Sequence, residues 1–297
     1  MSRIIGRTTR SLALLSLAMG VLLTGQASYA QNLGLEGETG VFITPLAYTA
    51  DSPAHGIGEP VVAYHFLAAG NVIGTFSNIS VNEGAFGRLE FGYSRDVHTT
   101  ADNPKLSPLW HDGFNILQGK VNIVKENTGK HNWIPAIAIG GVVRTQVHNI
   151  GGAIASRDTN NGDAYAVATK TIVIKQLHGL PIILNGGVRG TNGVLWGFGG
   201  NATRFQGRVF GAVAFGMKGP GSIVFLLASE VAQQPPHLQN LPGAVIPTTI
   251  TYDVRILPSE KSRINLDLGV AQIANRILPG VDLNARHQFG MGISLRF

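Results

Sequence analysis

Asp96 and His98 stand two residues apart in the chain, and Asp102, His111 and Asp112 follow shortly after them. A histidine beside a carboxylate can act as a general base, and His and Asp side chains also bind metal ions. A polar loop collects the same residue types by chance, so a hydrolase site, a metal site and an ordinary surface are three open interpretations. The chain has no nucleotide-binding loop, nucleophile elbow or zinc-protease motif. We therefore expect no enzymatic activity and no cofactor.

The run Asp158-Thr-Asn-Asn-Gly-Asp163 offers the hard oxygen ligands that calcium prefers. Its glycine comes one position too early for an EF-hand loop, and no bidentate glutamate follows. The run is typical of a solvated turn built from Asn, Gly and Asp. A divalent ion shared with lipopolysaccharide or a ligand is the alternative.

A larger set of charged residues falls inside segments whose apolar side chains stand at every second position. Because side chains alternate between the faces of a strand, these charges lie on the face opposite the apolar one. The basic members are Arg88, Lys120, Arg144, Lys170, Arg189, Arg208, Arg255 and Arg296, and the acidic members are Glu90, Glu230, Asp253 and Asp267. Eight bases minus four acids leaves an excess of about four positive charges, which in a water-filled interior would favour a small anionic solute. The alternative is a narrow barrel whose interior is braced by paired charges.

The elements that must position these charges are clearest at the C-terminus. Apolar side chains stand at every second position there: Phe289, Met291, Ile293, Leu295 and Phe297. Polar residues and glycines fill the alternate positions from Gln288 to Arg296. Such a strand suits a sheet that meets lipid on one face and water on the other. The ending also resembles the terminal signal by which bacterial barrels are recognised for insertion, and that resemblance implies the barrel-assembly machinery as a partner.

Alternation of this kind recurs along the chain. We count about twelve strands, within a range of 10–14. They span 61–67, 72–81, 88–96, 115–125, 133–145, 164–177, 181–190, 204–218, 222–233, 248–257, 262–271 and 287–297. Every second connection is short, as expected for bacterial barrels with short periplasmic turns and longer outer loops. The connection at 67–71 is the exception, because it should be an outer loop and is tight.

The N-terminus has the features of a secretory signal peptide, expected to span residues 1–30. Three arginines, Arg3, Arg7 and Arg10, precede an apolar stretch over 12–23. Ser28 and Ala30 then supply small residues at the two positions that a signal peptidase reads, which predicts cleavage near Ala30. Residues 31–297 would form one outer-membrane β-barrel domain, with 31–60 as an N-terminal segment.

Composition agrees with this class. Glycine makes up 39 of 297 residues, or about 13% against a usual ~7%, and barrel strands use glycine to bend. No second run of about 18 apolar residues follows the signal peptide, which excludes helical membrane spans. The formal charge of +6 falls to about +3 without the three signal-peptide arginines. No Lys/Arg cluster accompanies it, so nucleic acid is not an expected partner.

Two further features concern single segments. Pro45 argues against an interior strand over 40–48, which leaves an edge strand, a periplasmic lead and a segment tucked into the lumen as alternatives. Trp110 and Trp196 in outer loops and Trp133 at a strand start are interpreted as membrane-interface aromatics. Sugar stacking is the alternative for the two loop tryptophans.

Four stretches, at 37–53, 83–96, 158–171 and 285–297, resemble uncharacterised, porin-like outer-membrane barrels of Gram-negative bacteria that carry a domain of unknown function. The resemblance implies a transmembrane barrel and brings no activity with it. The sequence therefore predicts an integral barrel of the cell outer membrane, in contact with lipid and lipopolysaccharide. We expect a passive channel or transport-related envelope protein with a modestly basic lumen. The alternatives are a non-conducting structural or surface-binding barrel and, more remotely, a rim hydrolase.

Overall fold

The structure is a computed structural model that describes residues 32–99, 113–129, 131–147, 159–174, 180–239, 243–259 and 262–297. Twelve antiparallel strands close into a barrel, in which the first strand pairs with both the second strand and the last one. The strands are β1 (Val61–Ala68), β2 (Thr75–Ala85), β3 (Leu89–Thr99), β4 (Phe114–Val124), β5 (Ala136–Val147), β6 (Thr159–Ile174), β7 (Leu180–Val194), β8 (Gly200–Lys218), β9 (Val224–Ala232), β10 (Thr249–Leu257), β11 (Ile264–Gln272) and β14 (Gln288–Arg296). The expected fold class, an all-β antiparallel barrel of about twelve strands, is confirmed. The expected signal peptide lies outside the described residues.

The remaining elements sit in connections. Strands β12 (Ala274–Leu278) and β13 (Val281–Ala285) pair only with each other, as a hairpin between β11 and β14. A four-residue helix, α1 (Gly70–Ile73), joins β1 to β2, and a 3-10 turn at Leu195–Gly197 lies between β7 and β8. Among the described residues, no helix combines the length and the apolar character needed to cross a membrane.

The two ends of the barrel differ in their connections. We call the end where β14 finishes at Arg296 the terminal end, and the opposite one the loop end. Val61 pairs with Arg296, and the amide of Phe297 donates to the carbonyl of Pro60 at 3.2 Å, so both ends of the strand series meet at the terminal end. The hairpin β12–β13, α1 and the 3-10 turn all lie at the loop end.

The outer face of the wall is apolar. Along β14, Phe289, Ile293, Leu295 and Phe297 point outward and are exposed, whereas Ser294 points inward and is buried. The other strands repeat the pattern with exposed side chains that include Ile79, Phe91, Leu117, Ile139, Val188, Val209, Phe215, Leu227, Tyr252 and Val270. Soluble proteins rarely expose so large a contiguous apolar surface. The alternation that we expected of the terminal strand is therefore present around the barrel.

Several strand boundaries differ from the sequence-based expectation. Strand β6 begins at Thr159, so Asn160 to Asp163 belong to a strand and not to a solvated turn. Strand β7 ends at Val194 and strand β8 already begins at Gly200. Only a short turn joins them, where we expected a long loop. Glycines in both stretches interrupt the apolar alternation, and the pattern therefore did not reveal these strand ends.

Candidate functional site in the barrel interior

The N-terminal segment 32–50, which we call the lumenal segment, lies buried inside the barrel. The backbone hydrogen bonds of its described residues join groups within the segment itself. Leu35 N donates to Phe42 O at 2.7 Å, and Leu46 N donates to Thr39 O at 3.0 Å. The segment thus folds into successive turns. It forms no strand pairing with the wall among the described residues, and wall side chains hold it instead.

Two buried carboxylates of the wall accept hydrogen bonds from the segment's backbone amides. Glu230 on β9 accepts from the amides of Phe42 at 3.0 Å, Ile43 at 3.1 Å and Thr44 at 2.8 Å. Glu90 on β3 accepts from the amides of Thr39 at 2.8 Å and Ala50 at 2.6 Å. Buried amides require acceptors within the protein, and each carboxylate satisfies several of them at once.

Basic and amide side chains satisfy the segment's carbonyls in the same way. Lys120 on β4 donates to the carbonyls of Thr39 at 3.1 Å and Leu46 at 3.0 Å, and its ammonium lies 3.1 Å from Glu90. Arg255 on β10 donates to the carbonyl of Val41 at 2.8 Å and forms a buried ion pair with Asp267 at 2.8 Å. The interior charges therefore serve two purposes: they pair with each other and they bind the backbone of the segment.

A charged cluster joins the segment to β5, β6 and β7. Arg144 lies 2.5 Å from Glu36 of the segment and 2.8 Å from Asp163, and Asp163 lies 3.7 Å from Arg189. The hydroxyl of Tyr165 donates to Glu38 at 2.8 Å. All of these side chains are buried, so the two segment carboxylates are compensated by the wall and not by water.

The two segment carboxylates have raised pKa values. Burial raises the pKa of Glu36 to about 8, against the opposing effect of the Arg144 guanidinium. Burial also raises the pKa of Glu38 to about 7, although Lys120 and the hydrogen bond from Tyr165 lower it. Desolvation disfavours the charged form of a carboxyl group more than these partners favour it. The docked segment therefore binds protons more tightly than the released segment would.

The structure places the sequence-derived interior residues in two groups. Eight are buried inside the barrel: Glu90, Lys120, Arg144, Arg189, Glu230, Asp253, Arg255 and Asp267. The other four lie nearer the ends or the surface. Arg88 is exposed in the turn before β3 and donates to the carbonyl of Ile123 at 2.6 Å, and Lys170 pairs with Glu126 at 3.1 Å. Arg208 and Arg296 are half-buried.

Strand alternation alone omitted four buried acids: Glu36, Glu38, Asp96 and Asp163. Glu36 and Glu38 belong to a segment with no strand pattern, and Asp163 was placed in a loop. Among the described residues, the buried charged side chains are four bases and eight acids. The expected positive excess omitted Glu36 and Glu38 of the segment and Asp96 and Asp163 of the wall, and it included four bases that are not fully buried.

The residues of the expected rim site have separate partners. Asp96 is buried and accepts a hydrogen bond from the Asn78 side chain at 3.1 Å. The ring of His98 bonds through Nε2 to the carbonyl of Ile73 at 2.7 Å. Asp102, His111, Asp112 and Asp158 lie outside the described residues. Within the described part of the chain, no group of three or more His, Asp or Glu side chains could hold a metal ion.

Trp196 is not at the membrane interface. It is 5% exposed, and the guanidinium carbon of Arg189 lies 5.0 Å from the centre of its ring. The 3-10 turn folds inward and carries the indole into the barrel. Trp133 is 74% exposed, as an interface aromatic would be, and Trp110 lies outside the described residues.

An apolar cavity of about 50 Å³ lies at the loop end, above the lumenal segment. The segment supplies Leu35, Phe42 and Ile43 to its lining, and Trp196 lies beside them. The rest of the lining is Leu67, Ala69, Ile73, Phe76, Leu195, Phe198, Gly199, Leu238, Ile246, Thr249, Ala271, Ile273, Ile277 and Leu283. Among the described residues of this lining, the Thr249 hydroxyl and the indole N–H of Trp196 are the only polar side-chain groups.

Comparison with known proteins gave structural likenesses alone. No family model matches the chain, and no curated protein matches it. Among solved structures, the NanC porin has a TM-score of 0.49 at 8% identity over 80% of this chain and 100% of its own. The KdgM porin has a TM-score of 0.44 at 9% identity over 80% and 99%. An outer-membrane channel from Pseudomonas putida F1 has a TM-score of 0.41 at 9% identity over 82% and 96%. These values assign neither a family nor an activity to this chain, and no family model supports the resemblance to a domain of unknown function.

Proposed function

We propose that the protein is an integral outer-membrane β-barrel with a transport function, whose pathway is closed by its own lumenal segment. The outward apolar belt and the terminal strand from Phe289 to Phe297 support insertion into lipid. The same strand would be read by the barrel-assembly machinery. Lipid and lipopolysaccharide would contact the belt and the loop end.

The observation that carries the closed pathway is the way in which the segment is held. Glu90, Lys120, Glu230 and Arg255 bind its backbone, and it shares no strand ladder with the wall among the described residues. Release of the segment would break these bonds and leave the barrel's own ladders intact. The segment can therefore act as a gate without unfolding the barrel.

The charge of the open pathway is set by the wall alone in this proposal. When the segment leaves, Glu36 and Glu38 leave with it, while Lys120 keeps its pair with Glu90 and Arg144 its pair with Asp163. The buried wall charges that remain among the described residues are four bases and six acids, so they give the open state no preference for negative solutes.

Single-channel conductance tests the proposal. The intact chain should show rare openings in a planar bilayer, whereas a chain lacking residues 32–50 should conduct. Folding of both is checked by the shift in gel migration on heating. A deleted chain that folds and carries no current would contradict the proposal.

A non-conducting structural barrel is the second candidate, and the filled interior favours it. Buried ion pairs such as Arg255–Asp267 and Arg144–Asp163 brace neighbouring strands, as side chains fill the interiors of small barrels. A folded, non-conducting deletion variant is the result that this candidate predicts.

A further inference from the structure

The apolar cavity at the loop end differs in chemistry from the rest of the barrel interior. Charged side chains line the wall around the lumenal segment, yet none of the described charged residues lines this cavity. The Thr249 hydroxyl in its lining already accepts a hydrogen bond from the Gln234 side chain at 3.2 Å. A charged ligand would lose its hydration there without gaining a partner, and this cost excludes it.

The size of the cavity fits a small ligand. One water molecule needs about 10–15 Å³ of such space, and the cavity offers about 50 Å³. Apolar cavities of this kind stay free of ordered water and take up apolar molecules. The space suits a short hydrocarbon group.

Trp196 and Ile43 mark the inner boundary of the cavity. Both residues line it, and Trp196 and Ile43 also line a smaller, polar cavity beside Glu36, Glu38 and Asp163. They therefore separate the apolar cavity from the charged cluster that holds the segment. A molecule in the apolar cavity would touch the segment at Ile43 and the wall at Trp196.

The backbone at this boundary is strained. Leu195 has φ 49° and Trp196 has φ 55°, a conformation that costs bulky side chains energy and that persists only where the surrounding structure enforces it. Such strain is found preferentially at ligand sites. Here it holds the indole against the cavity.

We propose that the apolar cavity binds a small uncharged apolar molecule, or the end of a hydrocarbon chain, in contact with Trp196 and Ile43. This inference rests on the proposed transport function and names the class of solute for it.

Fluorescence quenching of Trp196 tests the inference in full-length protein in lipid nanodiscs. Trp110→Phe and Trp133→Phe leave Trp196 as the only indole. The probe is 1-bromopropane, whose bromine quenches indole on contact, and 3-bromopropionate is its charged analogue. We expect saturable quenching by 1-bromopropane and none by 3-bromopropionate.

Neighbouring substitutions on β11 provide the matched control. Ala271→Phe fills the cavity and should weaken the apparent affinity about tenfold or more, because overpacking excludes the ligand. Val270→Phe adds the same ring on the outer face, where Val270 is 42% exposed, and should leave quenching unchanged. If Ala271→Phe fails to fold, Ile277→Asp on the β12–β13 hairpin places a charge in the lining and should have the same effect.

Three results would overturn the inference: no saturable quenching, equal quenching after Ala271→Phe, or equal quenching by 3-bromopropionate. Failure of the gate is distinguishable from these results. Saturable quenching, together with no current through the chain that lacks residues 32–50, would support the ligand site and contradict the gating role of the segment. Current without saturable quenching would support the gating role of the segment and contradict the ligand site.

Discussion

Glu230 is the wall residue whose loss should release the lumenal segment most clearly. Its carboxylate accepts hydrogen bonds from the amides of Phe42, Ile43 and Thr44, and from the Thr44 hydroxyl at 2.6 Å. Hydrogen bonds to a charged group contribute about 1.5–3 kcal/mol each. Since neighbouring bonds are not additive and water can enter the vacated space, Glu230→Ala should weaken docking by about 4 kcal/mol. At about 1.4 kcal/mol per factor of ten, that is about a thousandfold in the docking equilibrium.

Two assays measure this release. Open probability in planar bilayers and the rate of protease cleavage within residues 32–50 should both rise steeply in Glu230→Ala. Glu59→Ala is the matched control, because the Glu59 side chain is 48% exposed and its ion pair with Arg263 spans 3.6 Å. Exposed pairs contribute about 0–1 kcal/mol. Unchanged opening and cleavage in Glu230→Ala, with the barrel folded, would refute the reasoning.

Three more predictions concern the same segment. Burial raises the pKa of Glu36 to about 8 and of Glu38 to about 7. Docking of the segment is therefore strongest below about pH 4.5 and weakens as pH rises through 7–8. The current should increase with pH for this reason. Arg144→Met removes the guanidinium that pairs with the buried Asp163 and donates to Glu36, and it should lower the free energy of unfolding in urea by about 3–5 kcal/mol. At Gly84 an added Cβ would lie 2.5 Å from the carbonyl oxygen of Ala50, the last residue of the segment, so Gly84→Ala should loosen the segment by about 1–3 kcal/mol, measured by protease cleavage.

Each of these has an internal control. Glu36→Gln should flatten the pH dependence of the current, and a profile identical to that of the parent would contradict the assignment. If Arg144→Met unfolds at the same urea concentration as the parent protein, the buried ion pair contributes little to stability, which would contradict this prediction. For the glycine, Gly207→Ala adds a Cβ with nothing within 4 Å and should leave cleavage unchanged. Equal effects at Gly84 and Gly207 would show that close approach of the segment is not the cause.

The barrel could be predicted from sequence because its signal is local. Period-two alternation, as at Ile250 to Ile256, reports on one strand at a time and needs no knowledge of its neighbours. The inward position of Glu230 and Arg255 followed from that alternation alone. Where glycines replace the apolar residues, as around Gly190 and Gly199, the signal failed and strand ends were missed.

The candidate site could not be predicted in the same way because it depends on long-range contacts. Glu36 meets Arg144 and Ile43 meets Glu230 across large separations in sequence. The segment has no periodicity of its own, and its turns are held by the wall. Trp196 likewise enters the barrel through an unusual backbone conformation that its neighbours enforce.

Crosslinking of the segment to the wall tests the central claim most directly. The Ala47 amide donates to the Thr169 hydroxyl at 2.7 Å, and the chain has no cysteine, so an introduced pair is unambiguous. Ala47→Cys with Thr169→Cys should form a disulfide in outer membranes of intact cells, and oxidation should suppress the current that reduction restores. Ala47→Cys with Ile172→Cys, on the outer face at 41% exposure, should form none. Absence of the first disulfide in a folded barrel, or equal crosslinking of both pairs, would contradict a segment seated in the lumen.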